Sequence, residues 1–505
     1  MKKNTLLNLA YLGIAGGFLL VSCTDLVVKE KDSVPVANTG GGFTAGNPAE
    51  LLNSLYNDHG LYNDQGNIYS LNQHTTAEMI PPTRGVDWGD NGVWRTLHSH
   101  TWDATHEQVR NTWNALNSRA FRCEQILASS PTPVQAAETK ALRALYMSQV
   151  MDLWGQVPRR TVEQGVNDLP SVLSRSEAFD FIVKDLTEAL PNLPKVGPAA
   201  INARASKAMA NALLARLHLN KAVYKSAKPE GPYTFDKADM DKVVAYCDAV
   251  AADGYALDPD FFNPFTANTS TDKIMTDLQG SPRNRWMMTM HYDQGGFPAE
   301  QSGPWNGFAT LAEFYDKFEA GDSRRFREVG FQKGFGGLHK GFLIGQQYRE
   351  DKTPIVDSRS KKPLAFTRDV PLAGAATDKG IRAIKYHPSD FGKYLIFRFA
   401  DVYLMKVEAL YRGGNTAAAL AQLNALRTLR KATTVSSIND DVMLRERGLE
   451  LYWEGIARTD EVRFGKFNRK YQDVVNVEPH TVLFPIPAVA IASNTNLKQN
   501  PGYGN

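Results

Sequence analysis

RERGLELYWEGIARTDEVRFGKF, residues 445–467, is the stretch that decides how this 505-residue chain folds. Its glutamates Glu446, Glu450 and Glu454 are four residues apart and therefore share one face of a helix. Like charges at this spacing repel by roughly 0.2–0.5 kcal/mol per pair, so cations must lie against that face. We predict a lattice of ion pairs in which the glutamates are neutralised by arginines of the same stretch, namely Arg445, Arg447, Arg458 and Arg463.

Apolar side chains are interleaved with these charges. Leu449, Leu451, Tyr452 and Trp453 favour a half-buried helix, and a solvated amphipathic helix is the alternative. Charges that are countered this densely are usually structural, which disfavours a catalytic pair of carboxylates.

The same residues carry a family resemblance. The pattern R-E-R-x-L-E-L-x-W-E-G-x-A-R, followed by D-x-V-R-F-G, resembles the C-terminal signature of the SusD/RagB family. Residues 483–503, LFPIPAVAIASNTNLKQNPGY, resemble the closing segment of that family. Its members are surface lipoproteins that bind nutrients, mostly glycans, for a SusC-like TonB-dependent outer-membrane transporter. The resemblance implies the same role and the same partner here.

Length and composition are those of an ordinary globular protein. The chain is far longer than a single core requires, and 43% of its residues are hydrophobic and 22% charged. The formal net charge is +3, and it falls to +1 without the two lysines of the leader. Such a balance gives no electrostatic case for binding nucleic acid. Aromatic residues reach 10%, a surplus that a binding surface would use.

The N-terminus is predicted to be a lipoprotein signal peptide, residues 1–22. Lys2 and Lys3 precede an apolar stretch that is shorter than the ~20 residues of a spanning helix. It ends in Leu-Val-Ser-Cys, which resembles a bacterial lipobox with Cys23 as the acylated residue. Three acyl chains would hold the protein firmly, because one chain alone binds only marginally.

A tether and a single body are predicted to follow the anchor. Residues 23–48 are polar and contain three consecutive glycines, as in a flexible linker. Residues 49–505 are predicted to form one mainly α-helical body of tetratricopeptide-like helix pairs. The pairs occupy about 109–254 and 394–467. Cys123 and Cys247 lie in helical patterns and are predicted to be small buried residues rather than a disulfide.

Local signals place several of the helices. Ser174-x-x-Glu177 is a capping box that opens a helix. A stripe of small residues at spacings of three and four predicts close packing against a helix over about 236–253: Ala205, Ala208, Ala212, Ala215, Leu219 and Ala222.

Two segments lack a sustained helical period, about 66–108 and 255–391, and the second is predicted to hold a few short strands. Long irregular segments in a compact body are usually functional or disordered. Their tryptophans and tyrosines could stack on the flat C–H faces of sugar rings, while nearby polar groups bond the hydroxyls. The predicted ligand contacts are Trp88, Asn91, Tyr292, Trp305 and Phe308. Trp94 and Trp102 lie nearer the following helix and are predicted to be core.

Motifs for catalysis and cofactors are missing from the sequence. It contains no glycine-rich phosphate loop, H-E-x-x-H, C-x-x-C or G-x-S-x-G motif. His98 and His100, with His106 nearby, could suggest a metal site on a strand, where alternate residues share a face. Nothing else there is rich in ligands, so neither a metal nor a cofactor is expected.

The sequence therefore predicts non-catalytic capture of an oligosaccharide, with the protein acting as a lid on the transporter. The location is the outer membrane, facing outwards as the resemblance implies. Three alternatives stay open. A peptide-binding member of the RagB type would have a groove of backbone-bonding groups, and an all-helical glycosidase would turn its substrate over. A protein-interaction scaffold would keep its affinities without Trp88 and Trp305.

Overall fold

Helices and short strands alternate along the computed structural model, which describes residues 45–58, 60–165, 167–295, 303–330 and 334–504. The predicted signal peptide, Cys23 and most of the predicted tether lie outside the described residues. Within the described ranges no helix is both long enough and apolar enough to cross a membrane.

Helices are the main regular structure of the body. In chain order they are α1 (Pro48–Asn57), α2 (Asn67–Gln73), α3 (Val93–His98), α4 (Glu107–Leu127), α5 (Pro133–Trp154), α6 (Arg175–Ala189), α7 (Lys207–Leu219), α8 (Lys221–Tyr224), α9 (Lys237–Ala252), α10 (Arg283–Met287), α11 (Ala312–Tyr315), α12 (Phe399–Arg412), α13 (Thr416–Leu429), α14 (Asp440–Leu451), α15 (Ala457–Arg463) and α16 (Ala488–Ser493).

The strands are short and pair antiparallel in small sheets. They are β1 (Gln156–Arg159), β2 (Ser171–Ser174), β3 (Lys273–Thr276), β4 (Phe326–Arg327), β5 (Lys340–Leu343), β6 (Gly345–Gln346), β7 (Ala365–Phe366), β8 (Arg382–Ile384) and β9 (Leu395–Arg398). The pairs are β1 with β2, β3 with β9 and β6 with β7, while β5 lies between β4 and β8. The predicted fold class, mainly helical with few short strands, is confirmed.

The local signals of the sequence act as predicted in the scaffold. Ser174 and Glu177 form a reciprocal capping box at the start of α6. Four residues of the stripe lie buried on α7, namely Ala208, Ala212, Ala215 and Leu219, and α7 packs against α9. Ala205 precedes α7, and Ala222 lies on α8. Small side chains shorten the distance between packed helices.

Two segments differ from the expected boundaries. The region 66–108, expected to be irregular, contains α2 and α3. The helix expected to start at Tyr394 starts at Phe399, because residues 395–398 pair with β3 as strand β9. Long-range pairing has overridden the local helical pattern there.

The stretch 445–467 is not one helix. α14 ends at Leu451, and Trp453 adopts a left-handed backbone with φ 59° before α15 begins at Ala457. Glu454 therefore lies beyond the helix that carries Glu446 and Glu450. Both of those glutamates are fully buried, whereas Asp440 and Asp441 at the start of α14 are exposed, so α14 is half-buried as predicted.

The predicted ion-pair lattice exists, but its arginines come from elsewhere in the chain. Glu450 lies 3.3 Å from Arg324, 3.3 Å from Arg398 and 2.9 Å from Arg430. Arg324 also lies 2.6 Å from Glu446. Burial alone would raise the pKa of Glu450, but the three guanidinium groups outweigh it and hold the pKa well below its ordinary value.

Three of the four arginines of the stretch itself have other partners. Arg447 pairs with Asp401 and Asp460, Arg463 pairs with Glu408 and Asp460, and Arg458 donates to the carbonyl of Val482. None of the four pairs with the three glutamates in the part of the chain that the structure describes. The prediction of partners within the stretch is therefore wrong. The face of α14 that carries Glu446 and Glu450 packs against arginines from other segments of the chain.

The predictions for the two later cysteines are confirmed. Cys123 and Cys247 are buried and unbridged. Burial raises the pKa of both thiols far above the ordinary value, which keeps them protonated and unreactive.

Lys273 provides a test of this polar interior. Its ammonium group is fully buried and donates to the carbonyls of Thr266 and Asn268 at 2.7 Å. We expect Lys273→Met to lower the free energy of unfolding by about 1–3 kcal/mol, because the buried carbonyl of Thr266 loses this donor. Urea unfolding would measure it. Lys237→Met, which breaks an exposed pair with Asp241, is the control and should leave the midpoint unchanged.

Candidate functional site

The two segments predicted to bind ligand come together around three half-buried aromatic rings, Trp88, Tyr292 and Trp305, which we call the platform. The ring centroids of Trp88 and Trp305 are 6.1 Å apart. The Tyr292 hydroxyl donates to Asp87, the residue before Trp88. Residues more than two hundred positions apart in sequence are thus brought close together.

Trp88 is held by a strained turn and by its own indole. Its backbone has φ 61°, a conformation that bulky residues rarely adopt. The turn is closed by reciprocal backbone hydrogen bonds between Arg84 and Asp87 at 3.0 and 3.1 Å. The indole Nε1 donates to the carbonyl of Trp305 at 2.9 Å. This hydrogen bond fixes the Trp88 ring against the backbone of Trp305.

Phe308 supports the platform from beneath and cannot contact a ligand directly. Its ring is fully buried, with its centroid 4.5 Å from that of Trp88 and 5.7 Å from that of Trp94. The prediction of Phe308 as a ligand contact is therefore wrong. The assignment of Trp94 and Trp102 to the core is confirmed, since their exposed fractions are 6% and 5%.

Gly307 allows the platform to close. A Cβ atom at this position would lie 2.4 Å from the Trp88 ring and 2.7 Å from the carbonyl oxygen of Met288. The Gly307 carbonyl accepts from the buried guanidinium groups of Arg84 at 3.1 Å and Arg382 at 3.4 Å. The backbone between Trp305 and Phe308 is thus fixed from below by charged donors.

Arg359 is a neighbour of the platform that the sequence did not predict. Its guanidinium carbon lies 3.9 Å from the centroid of the Tyr292 ring, and its Nη1 lies 2.9 Å from Asp87 Oδ2. Burial and the hydrogen bond to Asp87 raise the pKa of Tyr292 to about 12, so the phenol remains a donor. The only sequence signal was a basic run at 358–362 inside the second irregular segment.

Asn91 lies on the turn just before α3, exposed and with φ 52°. Its side chain makes no hydrogen bond to the platform residues among the positions described. The structure therefore places it on the same segment as Trp88 without joining it to the three rings.

The histidine trio does not form a metal site. Nε2 of His98 lies 2.9 Å from the carbonyl of Gln472, and Nε2 of His100 lies 2.9 Å from that of Thr75. Nε2 of His106 faces the carbonyl of Val93 at 3.1 Å. Each ring thus bonds a different backbone group. The two-residue spacing failed as a signal because α3 ends at His98, so the segment is not a strand.

These buried histidines make stability depend on pH. Burial lowers the pKa of His100 to about 3, whereas an unfolded chain titrates near 6.5. Below pH 6.5 the unfolded chain binds a proton that the folded chain does not, so the free energy of unfolding decreases as the pH is lowered. We expect the burial of His100 to lower the free energy of unfolding by about 2 kcal/mol when the pH is lowered from 7 to 5. Over the same pH interval, the free energy of unfolding of His100→Gln should decrease by about 2 kcal/mol less than that of the unchanged protein. Guanidinium unfolding at both pH values would measure this difference. An equal loss in both proteins would contradict the assignment.

Another histidine lies beside the platform. His291 directly precedes Tyr292 and is fully buried, and it is close to the carboxylates of Asp293 and Asp357. Burial, followed by the charge of Arg382, lowers the pKa of His291 to about 4, so its imidazole is neutral.

Comparison with known proteins gives consistent results. The model of the SusD family matches residues 376–503. The starch-binding protein SusD of Bacteroides thetaiotaomicron is 27% identical over 458 residues, which covers 75% of this chain and 74% of that protein.

Solved structures share the fold. A SusD superfamily protein from Parabacteroides distasonis superposes with a TM-score of 0.68 at 18% identity, covering 90% of this chain and 98% of that one. Surface glycan-binding protein A from Bacteroides thetaiotaomicron, in complex with laminarihexaose, gives a TM-score of 0.62 at 17% identity, covering 90% and 98%.

Proposed function

We propose that the chain acts as a member of the SusD/RagB family and captures an oligosaccharide on the platform of Trp88, Tyr292 and Trp305. The observation that carries this proposal is the convergence of three half-buried rings from two distant segments. They are fixed by the hydrogen bonds from Trp88 to Trp305 and from Tyr292 to Asp87. Preorganised rings bind without losing rotamer freedom.

The chemistry of the platform suits a sugar. Partly buried aromatic rings offer flat apolar faces to the C–H faces of a pyranose, and their edges remain in contact with polar groups. Asp87 accepts from the Tyr292 hydroxyl, and the exposed Arg359 lies over one face of the Tyr292 ring. Both can bond hydroxyl groups of a sugar that lies beside them. Asn91, exposed on the turn before α3, is a further candidate for a hydroxyl contact. Stacking would set affinity, and these hydroxyl contacts would set selectivity.

The relatives support a glycan as the ligand class. The name of one curated relative describes starch binding, and one structural neighbour was solved with laminarihexaose. The relatives do not identify which residues of this chain contact the glycan. Support for the site comes from its own geometry.

The remaining parts of the proposal follow the family role. We place the protein at the outer-membrane surface, anchored through acylated Cys23, where it delivers the glycan uncleaved to a SusC-like TonB-dependent transporter. The domain plan of signal peptide, tether and single binding body, residues 1–22, 23–48 and 49–505, belongs to the same proposal.

Calorimetric titration of the protein with a panel of oligosaccharides and short peptides tests this function, with analysis of products in the same samples. Saturable binding of one glycan class without cleavage is expected. Cleavage products would overturn the proposal in favour of a glycosidase. Binding of peptides alone would favour a RagB-like role, and the absence of any binding would favour a protein-interaction scaffold.

A further inference from the structure

A second cavity with apolar and aromatic walls lies apart from the platform. Its volume is about 430 Å³, within the range of roughly 300–1,000 Å³ that small-molecule sites occupy. Phe326, Ile344 and Tyr348 line it, and all three side chains are exposed. Large apolar side chains that are left exposed around one cavity indicate a binding surface. In the part of the chain that the structure describes, no platform residue lines this cavity.

The wall of this cavity carries a positive charge that no carboxylate compensates. Arg325 lines the cavity, and its Nε and Nη2 donate to the hydroxyl of Tyr315, at 3.0 Å from Nε. Among the described residues Arg325 pairs with no carboxylate, and its Nη1 has no partner. Arg368, the other cation beside the Tyr315 ring, is paired with Asp316 at 2.6 Å. No described aspartate or glutamate lines the cavity, so its electrostatic field favours an anion.

Neutral polar groups complete the lining of the cavity. His339 Nδ1 accepts from the backbone N–H of Val329 at 3.2 Å, so the ring proton is on Nε2, which can donate to a ligand. Burial lowers the pKa of His339 despite the charge of the exposed Glu328, so the imidazole is neutral at neutral pH. Gln346 donates its amide N–H groups to backbone carbonyls and keeps Oε1 as an acceptor. Hydroxyl groups suit this lining, because each one can donate and accept.

We propose that this cavity binds an acidic sugar unit of the captured oligosaccharide, a pyranose that carries a carboxylate or a sulfate group. The anion accepts from Nη1 of Arg325 in a charge-assisted hydrogen bond. The apolar face of the sugar ring lies against the exposed rings of Phe326 and Tyr348. The proposal rests on the capture function proposed above and narrows its ligand class to acidic glycans.

A buried pair of amides connects the cavity to the segment that carries the platform. Gln347 lines the cavity, and its Oε1 accepts from Gln294 Nε2 at 3.2 Å. Gln294 Oε1 accepts in turn from the backbone N–H of His291 at 2.9 Å, and Tyr292 of the platform follows directly in the chain. The cavity and the platform therefore adjoin the same segment, as two subsites for one oligosaccharide would.

Calorimetric titration of the full chain at constant ionic strength tests the site. The probes are trigalacturonate, trimannuronate and a κ-carrageenan tetrasaccharide, each with its neutral counterpart made by methyl esterification or desulfation, so they distinguish a carboxylate from a sulfate. We expect at least one acidic probe to bind about tenfold or more tightly than its neutral counterpart. Arg325→Gln should abolish this preference and keep the Kd of the neutral probe. Arg327→Gln, at an exposed arginine paired with Asp260, is the matched control and should change neither Kd.

Two further variants separate this subsite from the platform. Tyr348→Ala removes an exposed ring and should weaken binding of the acidic probe about tenfold, and it decides the question should Arg325→Gln fail to fold by circular dichroism. Trp88→Ala should weaken the acidic and neutral probes alike and keep their ratio. Equal binding of acidic and neutral probes, no binding of any acidic probe, or a preference that survives in Arg325→Gln would overturn the subsite and leave the platform standing. Unchanged affinities in Trp88→Ala, with the preference still dependent on Arg325, would overturn the platform alone.

Discussion

Replacing Glu450 with glutamine is expected to lower the free energy of unfolding by about 3–5 kcal/mol, a large part of the stability of a typical domain. The carboxylate is fully buried among Arg324, Arg398 and Arg430. Arg324 retains Asp322 and Glu446, and Arg398 retains Asp272 and Glu454. Arg430 has Glu450 as its only ion-pair partner among the described residues, and it would remain buried and uncompensated.

The measurement is guanidinium unfolding followed by circular dichroism. The matched control is Glu188→Gln on α6, which removes an exposed glutamate paired with Lys140 and should leave the midpoint nearly unchanged. Equal midpoints for Glu450→Gln and the unchanged protein would mean that the lattice does not stabilise the fold.

Local interactions explain which parts of the fold the sequence predicted well. A capping box needs residues three apart, and an alanine stripe needs spacings of three and four, so both are visible within one helix. The partners of Glu450 are not. Arg398 is 52 residues away and Arg324 is 126 residues away, and no local pattern distinguishes them from other arginines. Trp453 ended α14 through its left-handed backbone, which its residue type would not suggest.

In the candidate site, local sequence patterns fail to determine packing even for residues that are close together in the chain. Trp305 and Phe308 belong to one run, PWNGF, yet one ring is half-buried and the other is fully buried. Composition predicts that such a run carries aromatic surface, but only tertiary packing decides which ring faces outwards. Arg359 escaped prediction because its role depends on Tyr292 and Asp87, residues that are distant from it in sequence.

Trp88→Ala is expected to raise the Kd for the captured glycan at least about thirtyfold, which corresponds to about 2 kcal/mol. The change removes the ring that joins the platform to Phe308 beneath it. It also removes the Nε1 donor to the Trp305 carbonyl and the ring that lies beside Trp305, so a second platform ring loses a packing partner. The backbone of Trp305 stays bonded to Met287 at 2.7 Å, and we therefore expect the fold to survive.

Two controls separate the loss of stacking from a general loss of structure. Tyr246→Ala removes a half-buried tyrosine on α9 of the helical scaffold and should leave the Kd unchanged. Trp88→Phe keeps a ring but not the Nε1 donor, so an affinity between those of the unchanged protein and Trp88→Ala would assign part of the effect to the hydrogen bond. A folded Trp88→Ala protein that binds the glycan with unchanged affinity would move the binding surface away from the platform, because no other ring contacts both Phe308 and Trp305 as Trp88 does in the described structure.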